Sequence, residues 1–147
     1  MRTMALDLGE KTIGVAVSDP LGITAQGVKV LRRGSFKDDL SRLKELVEEY
    51  AVGCIVIGYP LNMDGSAGAK AKEIIKFKER LAHALSLPAV LWDERLTTVA
   101  AQRTLLQAGM RRADRKKVVD KIAAVLILEG YLQRSHCADE RQGDRER

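Results

Sequence analysis

Thr3-Met4-Ala5-Leu6-Asp7-Leu8 is an apolar run broken by a single carboxylate. The chain then passes through Gly9-Glu10-Lys11-Thr12 and returns as Ile13-Gly14-Val15-Ala16-Val17-Ser18. Two apolar runs joined by a short glycine-containing turn predict a hairpin. Aspartate is depleted in strands, and a carboxylate inside a buried one needs a partner. Two further acids, Glu94 and Asp120, interrupt apolar stretches far downstream.

Outward from the hairpin, Asp19-Pro20-Leu21-Gly22 is turn chemistry leading to a third strand, Thr24 to Leu31. Phe36, Leu40, Leu43, Leu46, Val47 and Tyr50 recur at helical spacing behind Ser35, a suitable cap. Cys54 to Gly58 is a short apolar run that fits a buried parallel strand. A loop from Tyr59 to Ser66 precedes a helix of about Ala67 to Ser86, and Ala89 to Trp92 is the next strand. Thr97 can cap a helix reaching about Ala108, with Gly109 as its stop. The last helix is expected from about Lys117 to Gln133.

The element order is therefore β-β-β-α-β-α-β-α-α. Three antiparallel strands followed by right-handed βαβ units predict an α/β fold, a mixed five-stranded sheet with helices on both faces. One domain over residues 1–135 is expected, with a charged, disordered tail over 136–147.

Composition narrows the function. The 147 residues are 46% hydrophobic but only 4% aromatic, so the core is aliphatic and base stacking is not the expected binding mode. There is no apolar window long enough for a membrane span and no signal-peptide layout, so a soluble, cytoplasmic protein with no membrane partner is expected. Cys54 and Cys137 lack CxxC spacing. His83 and His136 are far apart, with no nucleophile motif beside them. The net charge of +5 says less than its placement. Arg111, Arg112, Arg115, Lys116, Lys117 and Lys121 stand against only Asp114 and Asp120, a cluster suited to phosphate backbones or simply a solvated face.

Ligands in open α/β sheets bind beyond the carboxyl ends of the parallel strands. Asp7 closes the first strand and Glu94 follows the last, so both acids belong to one edge. Asp120 shares a helical stripe with Ala124, Ile127 and Tyr131, and the small Ala124 lets that helix approach the sheet. Three carboxylates in one pocket repel unless a cation intervenes. Oxygen donors without Cys or His suit Mg²⁺ or Mn²⁺ rather than zinc. Two such ions about 4 Å apart would activate a water and stabilise the leaving oxygen of a phosphodiester. Each acid also has a plainer reading: Asp7 capping turn amides, Glu94 pairing with Arg95, Asp120 matching a helix dipole. Lys11 on the hairpin turn, Asn62, Gly65 and Ser66 ahead of a helix N-terminus, and Arg95 are candidate phosphate contacts.

These motifs resemble one family. Leu6-Asp7-Leu8-Gly9 with Lys11, Gly14 and Ser18-Asp19, the loop Gly58 to Ser66, Asp93-Glu94-Arg95-Leu96-Thr97-Thr98 and Asp120-Lys121-Ile122-Ala123-Ala124 look like the YqgF (RuvX) family. The resemblance runs to about Ser135 and departs at Tyr59, where an aliphatic residue is expected. It implies an RNase H-like fold and a metal-dependent nuclease with Asp7, Glu94 and Asp120 as its acids. The implied substrate is structured RNA, the 5′ end of pre-16S rRNA, with ribosome-assembly partners. The alternative is a Holliday junction resolvase on branched DNA, which a two-fold dimer would favour. A non-catalytic nucleic-acid-binding protein with the same fold is a third reading. Actin-like kinases also open with Asp-x-Gly, but they use two such domains and this chain has room for one.

Overall fold

The computed structural model describes residues 1–60, 65, 67–96 and 121–135. Strands β1 (Arg2–Leu8), β2 (Thr12–Ser18) and β3 (Ala25–Arg32) lead into helix α1 (Phe36–Glu49). Strand β4 (Val52–Tyr59), helix α2 (Ala69–Leu85) and strand β5 (Ala89–Asp93) follow, and a 3₁₀ turn spans Glu94–Leu96. Residues 121–135 form a further helix, α3. The sheet order is β3-β2-β1-β4-β5. β1–β2 and β2–β3 are antiparallel, whereas β1–β4 and β4–β5 are parallel. The five-stranded mixed sheet read from the sequence is the observed one. The expected helix over Thr97 to Ala108, the start of the last helix and the 136–147 tail lie outside the described residues.

Alternation along the strands sorts the core into two layers. Met4, Leu6 and Leu8 of β1 join Ile55 and Ile57 of β4 under Leu43, Leu46, Ile74, Phe77 and Leu81 of α1 and α2. Ala5, Ala16 and Val56 face the other way, with Trp92, onto Ala123, Ala124, Ile127, Leu128 and Leu132 of α3. The second layer is built of small residues at its centre, which lets α3 lie close to the strands. Its first described residue, Lys121, rests on β3: a Cβ on Gly27 would stand 2.8 Å from Lys121 Cε. Tyr59, the departure from the family pattern, packs against the α1/α2 layer.

Local chemistry explains the boundaries. Ser35 Oγ accepts from the Asp38 N–H at 3.2 Å and caps α1. α2 begins at Ala69, two residues later than its composition suggests, because Gly68 takes the extended cap conformation. It ends at Ser86, which adopts the left-handed conformation with φ 53°. The turn after β2 is organised by Asp19, whose Oδ1 accepts from the Ile23 and Thr24 N–H groups at 2.7 Å each. Those bonds, led by that of Thr24, hold the Asp19 carboxyl below the usual carboxylate range. A folded-state depression stabilises the fold above the unfolded carboxylate's pKa, and this is lost as pH falls through the folded one. Asp19→Ala is therefore expected to lower the melting temperature at pH 7. That gap should close in acid, below the ordinary carboxylate range; thermal melts against pH read both, and a pH-independent gap would contradict the assignment.

Candidate active site

Asp7 is the penultimate residue of β1 and only 4% exposed. It shares the parity of Ala5, so it points to the α3 side of the sheet. Parallel pairing of Leu6 with Ile57 sets Gly58 of β4 in the row beside Asp7, one strand spacing away. Pairing of Gly58 with Trp92 carries that row to β5. Two residues beyond Trp92, Glu94 folds back over the same row through the 3₁₀ turn. Its Oε1 lies 2.8 Å from where a Cβ on Gly58 would stand, and Ile127 Cδ1 of α3 lies 2.6 Å from that point. No real Cβ is tolerated at such distances. The glycine is thus the floor on which the Glu94 carboxylate and α3 both rest, beside Asp7.

Two of the three expected acids therefore occupy one rim, on one face, over adjacent strands. Asp120 lies outside the described residues. Ala124 and Ile127, four and seven positions after it in sequence, are fully buried against this face. Among the described residues no group of three His, Cys, Asp or Glu side chains forms a cluster. The two acids brought together offer only oxygen donors, and among the described residues neither cysteine nor histidine stands at the rim; Cys54 lies farther back along β4, its Sγ 4.0 Å from Tyr131 Oη. Such a donor set fits a hard divalent cation.

The expected phosphate contacts divide. Lys11 is exposed on the β1–β2 turn, which is closed by the Gly9 N–H bond to Thr12 O at 2.9 Å. Arg95 engages Asp93 as a fork: Nη2 to Oδ2 is 2.7 Å, and Nε to Oδ1 and Oδ2 is 3.1 and 3.0 Å. That guanidinium holds the Asp93 carboxyl below its usual range. Gly65 has φ +88°, a conformation reserved for glycine, and Arg95 Nη1 would lie 3.5 Å from a Cβ there. Gly65 and the turn after β5 thus meet at Arg95. Asn62, Ser66, Arg111, Arg112, Arg115, Lys116 and Lys117 lie outside the described residues. Trp92 is 6% exposed, edge-on to Tyr131 with centroids 6.5 Å apart, and belongs to the core.

In the sequence Gly58 closes an apolar run and opens the loop to Ser66. Its role beneath Glu94 depends on where α3 crosses the sheet, and no local pattern carries that. Arg33 carries no local signal either. The Arg33 Nη1 donates to Gly9 O at 2.8 Å and its backbone N–H to Lys11 O at 2.8 Å. Its Nη2 meets Glu73 Oε1 at 3.0 Å. One side chain ties the turn that follows Asp7 to helix α2.

In fold this is a RuvC-like protein of the RNase H-like class. The solved structure of T. thermophilus RuvC in complex with a Holliday junction substrate matches 92% of this chain and 96% of its own, with a TM-score of 0.58 at 12% identity. At that identity the likeness is one of architecture. Membership is set by sequence: residues 1–134 match the family model described as RuvX, Holliday junction resolvase, and the chain belongs to the RuvX family. A relative from Clostridium novyi (strain NT), named "Putative pre-16S rRNA nuclease", is 54% identical over 90% of this chain and 98% of its own. One of the same name from Myxococcus xanthus (strain DK1622) is 56% identical over 90% of this chain and 87% of its own.

Proposed function

We propose that this chain is a divalent-metal-dependent endonuclease that hydrolyses phosphodiester bonds in structured RNA, maturing the 5′ end of pre-16S rRNA in the cytoplasm. The observation that supports the reading is a buried strand aspartate, Asp7, in the row beside Gly58, over which the Glu94 carboxylate lies. Relatives more than half identical bear a name with that activity. Among the described residues no helix is long and apolar enough to cross a membrane.

Asp7, Glu94 and Asp120 would hold Mg²⁺ or Mn²⁺, in the two-ion form we favour. When bound, the metal lowers the pKa of water and offsets the charge that builds on the phosphate oxygens. Burial of Asp7 in β1 fixes its carboxylate without any rotamer search when substrate arrives. Glu94 is set by the tight contact at Gly58. Lys11, Arg95 and the basic residues Arg111, Arg112, Arg115, Lys116 and Lys117 would take backbone phosphates, as would Asn62, Gly65 and Ser66 of the loop after β4. Arg95 would do so with its plane already set by Asp93. Ribosome-assembly factors would then act as partners by presenting the precursor.

The test offers a pre-16S leader RNA and a four-way DNA junction side by side, with Mg²⁺ or with EDTA. RNA cleavage that EDTA abolishes and Mg²⁺ restores is expected. The second reading, a junction resolvase, is favoured by the description of the matching family, and paired symmetric cuts in the DNA junction alone would establish it in place of the first. Tight binding of RNA with no cleavage under any metal would leave a non-catalytic binding protein.

A further inference from the structure

The charge of the α1/α2 face is unevenly divided. α1 carries three cations against five acids, α2 five cations against two. The surplus on α2 borders a cleft of about 280 Å³ whose walls include Arg33, Phe36, Asp39, Glu73, Lys76 and Arg80. Small-molecule clefts run from roughly 300 to 1,000 Å³. This one is at the lower limit, and its size suits one phosphate–ribose unit of a passing strand better than a whole cofactor.

Both acids of the cleft are taken internally. Asp39 is 2% exposed and accepts from the Gly34 N–H at 2.9 Å and from Arg42 Nη2 at 3.0 Å. Glu73 pairs with Arg33 at 3.0 Å and Lys70 at 3.9 Å. Lys76 and Arg80, one turn apart on α2 and both exposed, make no ion pair among the described residues. Arg80 is nonetheless held. Its guanidinium carbon lies 3.8 Å from the centroid of the Phe36 ring, and Phe36 is braced edge-on by Phe77 at 5.6 Å. A guanidinium laid flat on a ring keeps its N–H edge available and has little rotamer freedom left to lose. An ordinary solvated arginine has no such brace.

The cleft is also joined to the site. Arg33, in its wall, donates to Gly9 O at 2.8 Å, and Lys70 Nζ reaches the same carbonyl at 3.3 Å. Gly9 is two residues from Asp7, on the turn that carries Lys11. We propose that this cleft is a second nucleic-acid subsite, in which Lys76 and the ring-stacked Arg80 grip backbone phosphates of the same RNA beyond the cleaved bond. The proposal rests on the nuclease reading and extends it to a surface on the far side of the sheet from α3. A strand leaving Asp7 would pass Lys11 and Arg33 before reaching Arg80.

The test separates the two. Binding of fluorescent leader RNA is measured against KCl concentration in the full chain carrying Asp7→Asn, with and without Lys76→Gln and Arg80→Gln. Each lost phosphate contact lowers the slope of log K against log salt by about 0.7 to 0.9. The double change is therefore expected to flatten the slope by about 1.4 to 1.8 and weaken binding by about 25- to 60-fold near 0.1 M salt. With Asp7 intact, the same pair should raise KM. Arg80→Lys should keep the slope, because it keeps the charge, yet lose part of the affinity with the planar stack. A double variant with the parent's slope and affinity would overturn the subsite while leaving the nuclease reading intact. A wild-type chain that neither binds nor cuts the leader RNA would remove both.

Discussion

Asp7→Asn is expected to lower RNA cleavage by about 10³-fold, some 4 kcal/mol of barrier, without unfolding the chain. Asparagine has the shape of aspartate, so the β1 row between Gly14 and Gly58 is not disturbed. What changes is charge. The carboxylate is buried on the rim where Glu94 also stands. The amide keeps the packing of the row, so the variant is expected to melt near the wild-type temperature in metal-free buffer. A structural aspartate behaves differently, because losing it lowers the melting temperature in step with activity. Single-turnover cleavage and thermal melts on the same preparations separate the two outcomes. Cutting by Asp7→Asn at the wild-type rate would remove Asp7 from the chemistry.

Gly58→Ala is expected to produce the second largest effect, and its cause can be divided. The new methyl would stand 2.6 Å from Ile127 Cδ1 and 2.8 Å from Glu94 Oε1. Both are ends of side chains, so the fold can yield, at an overpacking cost of about 1–3 kcal/mol. The Glu94 carboxylate must yield as well, and a shift of about an ångström in a positioned group costs on the order of 10²-fold in rate. Adding Ile127→Val removes Cδ1 and with it one of the two clashes. The double variant should regain most of the lost melting temperature but not the lost activity. Recovery of both together would mean that Gly58 serves packing alone.

The fold was legible where sequence chemistry is local. β2 begins and ends where its alternation does, and Ser35 caps α1 as its position suggests. Where a partner strand decides, the reading fell short. β4 starts at Val52 rather than Cys54 because Val52 pairs with Arg2, across an irregularity that leaves Gly53 out of register. β5 extends to Asp93 because Tyr59 offers it a partner. The site divides along the same line. Asp7 was visible as a charge in an apolar strand and Glu94 as an acid at a strand exit, and both stand on one rim. Gly58 was not, since a glycine after an apolar run looks like a turn until α3 is seen lying on it. The Arg95–Asp93 fork depends on the 3₁₀ turn that brings residues two apart onto one side. Arg80 was hidden because its anchor, Phe36, belongs to another helix.

Binding of Mn²⁺, followed by loss of the free-ion electron paramagnetic resonance signal, tests most directly whether these remote acids form one metal site. Wild type, Asp7→Asn and Glu94→Gln would be titrated at equal concentration without nucleic acid. Saturable binding by the wild type, weakened about tenfold or more by each substitution alone, is the expected result. Equal binding by all three chains, or none by the wild type even with RNA present, would contradict a shared metal at the rim formed by Asp7, Gly58 and Glu94.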